Sequence, residues 1–214
     1  MITKLKKMIS NNYMWICFIL CICVLMLISY GVIQKSIFEF DIKIYEFLLR
    51  SRNNILNLFF KGVTIFGNAS TLIVFSILSI IFFKDKIYKL LVPLNLAGIG
   101  LLNDILKRSF CRERPNNLRL IEETGYSFPS GHAMASTAFY GILIYITVTN
   151  VKNIKIRNLI CTLLLILILL IDISRVYIGV HYASDVIAGT CVSICHLILL
   201  IKFLNNKVEN FKKL

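Results

Sequence analysis

Six stretches of this chain are apolar enough to cross a bilayer as helices, where about 30 Å of hydrocarbon takes about 20 residues. They cover residues 14–33, 69–83, 87–106, 131–149, 156–173 and 183–203. The 69–83 run is short for the purpose and is expected to borrow residues upstream. With 57% hydrophobic residues and a mean hydropathy of +0.78, the chain exceeds what a soluble surface tolerates. The expected fold is all-α: a polytopic membrane protein with six transmembrane helices. No internal repeat, low-complexity segment or Pro-rich linker divides it, so residues 1–214 read as one domain.

The first run follows Lys4, Lys6 and Lys7, and Ser29-Tyr30-Gly31 has the small-x-small form of a signal-peptide cleavage site. Its apolar core is longer than the roughly 7 to 15 residues of a signal, so an uncleaved anchor is expected. The formal charge of +13 sorts with the loops. The side shared with the N-terminus holds 13 of the 24 basic residues but only 2 of the 11 acidic ones, Asp85 and Glu209. That asymmetry is the positive-inside pattern, which puts both termini in the cytoplasm and says little about partners; membrane lipids, and no nucleic acid, are the expected ones. The expected location is the cell membrane, multi-pass. Six of the seven cysteines fall inside the runs as small packing residues and only Cys111 lies in a loop, so no disulfide and no metal site are expected.

Polar chemistry is confined to the outer stretches. Residues 34–68 place Ile55, Phe59, Val63 and Phe66 near helical spacing with Asn57, Lys61 and Thr64 between them, which suits a helix in the interface or an extension of the second span. Residues 107–130 open with Lys107, Arg112 and Arg114-Pro115; such cations can snorkel to headgroups, and Asp104 can pair with Lys107 on one helical face. Phe128-Pro129-Ser130-Gly131-His132 then precedes an apolar run. Those residues suit ordinary capping, but a helix start also turns free N–H groups and a dipole toward an anion, and His132 adds a group that titrates near neutral pH. Ser174-Arg175, His181 and Asp185 form the third group. Four residues apart, His181 and Asp185 share a face if helical, as an oriented nucleophile or a helix-terminal ion pair. His196 stands alone in a span and reads as a packed side chain.

Together these groups resemble the three-part signature of the type 2 phosphatidic acid phosphatase superfamily. The chain has Lys107-x6-Arg114-Pro115, Pro129-Ser130-Gly131-His132 and Ser174-Arg175-x5-His181-x3-Asp185, with every signature position matched and the groups at the outer ends of successive spans. The resemblance implies that Lys107, Arg114, Arg175, Ser130 and the Gly131 N–H bind phosphate, and that His181 attacks phosphorus. In it, Asp185 orients His181, His132 protonates the leaving oxygen and then activates water, and no metal or other cofactor takes part. Phosphoryl transfer suits such a site, because fixed cations and amides stabilise the charge shared by the equatorial oxygens.

The implied substrate is a lipid phosphate or diphosphate reached at the extracytoplasmic membrane edge. Resemblance to small bacterial members without an added domain favours undecaprenyl diphosphate. Phosphatidylglycerol phosphate and phosphatidic acid present a terminal phosphate at the same depth, and a lipid phosphotransferase would use the same site with another acceptor.

Overall fold

Short polar side chains start four of the helices. Asn53 accepts from the Leu56 amide at 2.9 Å, Asp85 from Ile87 at 2.8 Å, Ser130 from Ala133 at 3.4 Å, and Asn153 from Lys155 and Ile156 at 3.0 and 3.3 Å. The structure is a computed structural model that describes the backbone of residues 2–115 and 118–211 and the side chains of 12–115 and 118–204. The charges read at Lys4, Lys6, Lys7, Lys207, Glu209, Lys212 and Lys213 lie outside the described side chains. Among the described residues there are eight helices and no strand: α1 (Ile2–Ile33), α2 (Phe38–Arg50), α3 (Asn54–Ile65), α4 (Ala69–Phe82), α5 (Lys86–Phe110), α6 (Gly131–Asn150), α7 (Ile154–Tyr177) and α8 (Ala183–Phe211).

Five of these are long and apolar enough to span a membrane: Asn12–Ile33, Lys86–Phe110, Gly131–Asn150, Ile154–Tyr177 and Ala183–Leu204. The short sixth run, 69–83, corresponds to α4. At about 1.5 Å per residue, the 14 residues of α4 reach only about 21 Å. Joined to α3 across a 46° bend they become long enough. Taken as one span, this bent pair is the sixth and draws on residues upstream of 69. Residues 34–68 also supply the separate helix α2.

Gly67 makes the bend possible. The amides of Phe66, Gly67 and Asn68 bond back three residues to Val63, Thr64 and Ile65, which closes α3 tightly before Asn68 turns extended. A Cβ on Gly67 would come within 2.7 Å of Ile171 Cγ2 and 3.1 Å of His132 Cδ2. Only glycine lets this turn press against α6 and α7.

α6 is the central helix and touches α4, α5, α7 and α8, while α1 lies on the far face of α8. The packed centre holds Leu72, Val92, Phe139, Ile142 and Ile171. With lipid tails as apolar as these side chains, close packing and interhelical hydrogen bonds hold such a bundle, the latter about 1 kcal/mol each. Asn95 of α5 donates to the Ala138 carbonyl at 2.8 Å and accepts from His196 of α8 at 3.1 Å, which is the packed role expected for His196. Outward, Leu27, Leu94, Leu101, Leu163 and Leu169 are exposed, as lipid-facing side chains are. Asn150 meets Tyr88 where α6 ends and α5 begins. The other ends of these helices, at Phe110 and Gly131, therefore share one end of the bundle with the start of α8, whose Asp185 carbonyl accepts from Ser130 N.

Candidate active site

All three motif groups meet at that end. α7 stops at Tyr177, and Gly179 takes the left-handed conformation (φ 85°), which folds the chain back so that the amides of Val180 and His181 both approach the Arg175 carbonyl. His181 thus sits in the turn before α8 and not on the helix, so the four-residue helical spacing is not what brings it to Asp185. Asp185, in the first turn of α8, reaches back instead. Its Oδ2 lies 3.5 Å from His181 Nδ1 and accepts from the Tyr182 amide at 2.9 Å.

On its other side the imidazole faces cations. Arg114 Nη1 lies 3.0 Å from His181 Nε2. Since a guanidinium can only donate, Nε2 carries the lone pair and Nδ1 the proton. Arg114 is fixed by the carbonyls of Gly125, Thr124 and Val180 at 2.9 to 3.1 Å. Arg175 is fully buried; it donates to Thr64 Oγ1 at 2.6 Å and to Glu123 Oε1 at 2.5 Å, and its Nε has no partner. Glu123 also reaches Arg114 at 3.8 Å. Lys107 does not pair with Asp104, which bonds Arg108 at 2.9 Å. The Lys107 ammonium donates to the Tyr126 carbonyl and acts electrostatically on Arg114, Arg175 and Asp185.

Burial, followed by the positive charges of Arg175, Arg114 and Lys107, holds the His181 imidazole well below its ordinary value. The ring is therefore neutral at pH 7, and its 3.5 Å contact with Asp185 joins a neutral donor to a carboxylate. The Nε2 lone pair of this neutral imidazole accepts from Arg114 and lies among fixed cations, an arrangement that can serve a nucleophile toward an anionic electrophile.

Ser130 caps α6 from a fully buried position, and the amides of Gly131 and His132 lead the first turn, where a helix leaves N–H groups without intrahelical partners. His132 Nε2 meets Asn68 Oδ1 at 2.7 Å, so the α3–α4 bend sets the orientation of this ring. Because the amide oxygen only accepts, Nε2 bears the proton and Nδ1 is the basic nitrogen. Ser174, part of the third motif, bonds the Ile171 carbonyl at 2.5 Å and does not enter the site.

Several site residues lie outside the sequence reading. Ser127 Oγ donates to Asp185 Oδ2 at 2.5 Å and lies 3.3 Å from His181 Nδ1, which inserts a hydroxyl into the His–Asp pair. Arg112 bonds Asp185 Oδ1 and Asp41 Oδ2, both at 2.6 Å, and lies over the Tyr182 ring at 4.1 Å. Glu123, Thr64 and Asn68 complete the list. Arg112 was visible as a cation in the loop; for the others only a search for buried polar partners of the motif residues would have served, and spacing does not supply it. A cavity of about 870 Å³ between the end of α1, the start of α2 and the end of α5 is lined by Arg112 and Tyr182.

A neutral histidine whose Nε2 lone pair meets Arg114, two further cations acting on it and leading helix amides, set at one end of a membrane-spanning bundle, together define a membrane phosphatase. The chain belongs to the PAP2 superfamily, whose family model matches residues 88–209. It is 32% identical over 162 residues to phosphatidylglycerophosphatase B of Bacillus subtilis (strain 168), covering 74% of this chain and 79% of that protein. A crystal structure of a transmembrane PAP2-type phosphatidylglycerolphosphate phosphatase from Bacillus subtilis has a similar fold, with a TM-score of 0.82 and 25% identity over 88% of this chain and 96% of that one. The Aquifex aeolicus LpxE structure is similar in fold, with a TM-score of 0.63 and 24% identity, covering 75% and 94% of the two chains. The chain is thus an enzyme, a multi-pass membrane phosphatase of the metal-independent lipid phosphate hydrolases.

Proposed function

We propose that the enzyme hydrolyses the terminal phosphate of phosphatidylglycerol phosphate through a phosphohistidine on His181. The observation that carries the catalytic part is the pairing of a lone-pair Nε2 on a neutral His181 with Arg114 at 3.0 Å, beside the unpartnered Nε of Arg175. Phosphate oxygens would take Arg114, Arg175, Lys107, the Ser130 hydroxyl and the Gly131 amide. His181 Nε2 then attacks phosphorus in line with the ester oxygen. The P–O bond breaks, and His132, protonated in the substrate complex, gives its proton to the departing lipid hydroxyl. In the second step His132 takes a proton from water as that water attacks phosphorus. The P–N bond breaks, phosphate leaves, and His181 returns to its neutral form with Asp185 and Ser127 at Nδ1.

Similarity to the Bacillus phosphatidylglycerophosphatase over about three quarters of both chains supports this substrate. The case for undecaprenyl diphosphate rests on chain size alone and ranks below it. The positive-inside pattern supports an extracytoplasmic site, with both termini in the cytoplasm. Exposed Ile55, Leu58, Phe59, Ile65 and Phe66 follow α3 to the bend that supplies Thr64 and Asn68, and we place the acyl chains along this face.

Purified enzyme should release phosphate from phosphatidylglycerol phosphate faster than from phosphatidic acid or undecaprenyl diphosphate, and form an acid-labile phosphoprotein that His181→Ala abolishes. Faster turnover of either other lipid would overturn the substrate. Near-normal turnover by His181→Ala would overturn the nucleophile. Lipid consumed in excess of phosphate released would mark transfer to another acceptor.

A further inference from the structure

Asp185 has a second carboxylate close behind it. Asp41, fully buried on α2, accepts from Arg112 Nη2 at 2.6 Å, from the Ser184 amide at 2.9 Å and from the Ser184 hydroxyl at 2.6 Å. Arg112 Nη1 in turn bonds Asp185 Oδ1 at 2.6 Å and Ser184 Oγ at 2.7 Å. One guanidinium therefore bridges two buried carboxylates, and it is clamped over the Tyr182 ring. Asp41 lies 47 residues before the segment that the family model matches, which starts at residue 88.

We propose that Asp41 and Arg112 are positioning residues for phosphoryl transfer, which fix the Asp185 carboxylate against His181 and set how strongly it supports charge on that ring. Two buried anions about a single cation keep a net negative charge on the trio. Without Arg112 the Asp185 charge would act on His181 unopposed and without a fixed direction. Without the Asp41 charge, Arg112 would neutralise Asp185 fully and withdraw its support as His181 becomes positive on attack. The bridge also ties α2 to the chemistry, which gives the segment between the first two spans a role other than covering the site.

The inference rests on the assignment of His181 and Asp185, and its test is pH dependence. The groups acting on His181 are Lys107 from α5, Arg112, Arg114, Glu123 and Ser127 from the following loop, His132 from α6, Arg175 from α7, and Asp185 from α8 with Asp41 behind it. The acid limb of kcat reports protonation of His181, which removes the nucleophile. Removing a cation makes that protonation easier, and removing an anion makes it harder.

Arg112→Gln should therefore move the limb to higher pH and lower kcat about 10 to 100-fold at little cost in KM. Asp41→Asn, nearly the same shape, should move the limb to lower pH and lower kcat several-fold. The double variant should match Arg112→Gln within about twofold, because Asp41 acts through Arg112. Phosphatidylglycerol phosphate in detergent micelles is the probe, with helical content followed by circular dichroism. Limbs that stay put, or that shift in the same direction in both variants, would overturn the positioning role, as would losses confined to KM. Ser184→Ala keeps every charge and carries the test where a charge variant does not insert: a two- to fivefold loss in kcat with an unmoved limb is expected, and unchanged kcat would overturn the clamp. His181→Ala in the same preparation separates the two levels. Turnover surviving there would remove the nucleophile assignment itself, whereas an inactive His181→Ala beside unshifted limbs would remove only the clamp.

Discussion

Ser127→Ala tests whether the hydroxyl between His181 and Asp185 matters to turnover. The serine donates to Asp185 Oδ2 at 2.5 Å and sits 3.3 Å from His181 Nδ1, while the direct Nδ1 to Oδ2 distance is 3.5 Å. A hydrogen bond to a buried charged group contributes about 1.5 to 3 kcal/mol. Part returns on removal, because the ring can close the last half ångström to Asp185 and the Tyr182 amide still holds Oδ2 at 2.9 Å. A net loss of about 1.4 to 2.7 kcal/mol in the transition state corresponds to about 10 to 100-fold in kcat. The Ser127 hydroxyl bonds to Asp185 and His181, behind the ring, so KM for phosphatidylglycerol phosphate should stay within about threefold, since an interaction used only in the transition state is lost from kcat. Phosphate release in micelles across a substrate series measures both constants. Unchanged kcat, or a loss carried wholly by KM, would refute the reasoning and return Ser127 to a structural role.

Arg175→Lys keeps the charge but not the fork that reaches Thr64 and Glu123, so kcat should fall about 100 to 1,000-fold with the protein still inserted, as measured by phosphate release and circular dichroism. Glu123→Gln removes the carboxylate that holds Arg175 and reaches Arg114; orthovanadate should inhibit this variant at several-fold lower concentration than the parent, measured as its inhibition constant. Because burial and the nearby cations hold His181 well below its ordinary value, loss of a cation such as Lys107→Gln should move the acid limb of single-turnover rates to higher pH. Gly67→Val should destabilise the bend and lower kcat together, since its side chain would meet Ile171 and His132, and thermal unfolding beside activity reads both.

The spans were legible because bilayer thickness turns hydropathy directly into helix length. Where the chain departs from a simple span, at the α3–α4 bend, the signal was a short apolar run. The run announced that residues were missing, but only the close approach of Ile171 and His132 shows why the helix breaks there. Lys107, Arg114, His132, Arg175, His181 and Asp185 were legible because their spacing relates each to a helix end. Ser127, Asp41, Glu123 and Asn68 were not. Each acts by meeting a motif residue far away in sequence, as Asp41 meets Arg112 across 71 positions, and no periodicity along the chain records such a meeting. The inference from spacing that His181 and Asp185 share a helical face reached the right pair by the wrong path, because Gly179 ends the preceding helix and leaves His181 in the turn.

The charges divide into two groups on opposite sides of the His181 ring, and the division matches what phosphoryl transfer asks of each side. In front of Nε2 stands Arg114, and the charges of Arg175 and Lys107 act on the ring with it, Glu123 being the acidic member of this group. Behind Nδ1 stand Asp185 and Asp41 with Arg112 between them. The front carries an excess of positive charge that a phosphate monoester dianion would balance, while the rear keeps one negative charge in excess. In the proposed mechanism, attack by Nε2 moves electrons from the ring to phosphorus, so positive charge develops on the imidazole as negative charge spreads over the equatorial oxygens. Each charge then grows toward the group of opposite sign, fixed there beforehand by buried hydrogen bonds that need no rearrangement during the step. A buried cluster of like charges at a membrane edge would be costly to fold. Split in this way, it is costly only until the anion it is built for arrives.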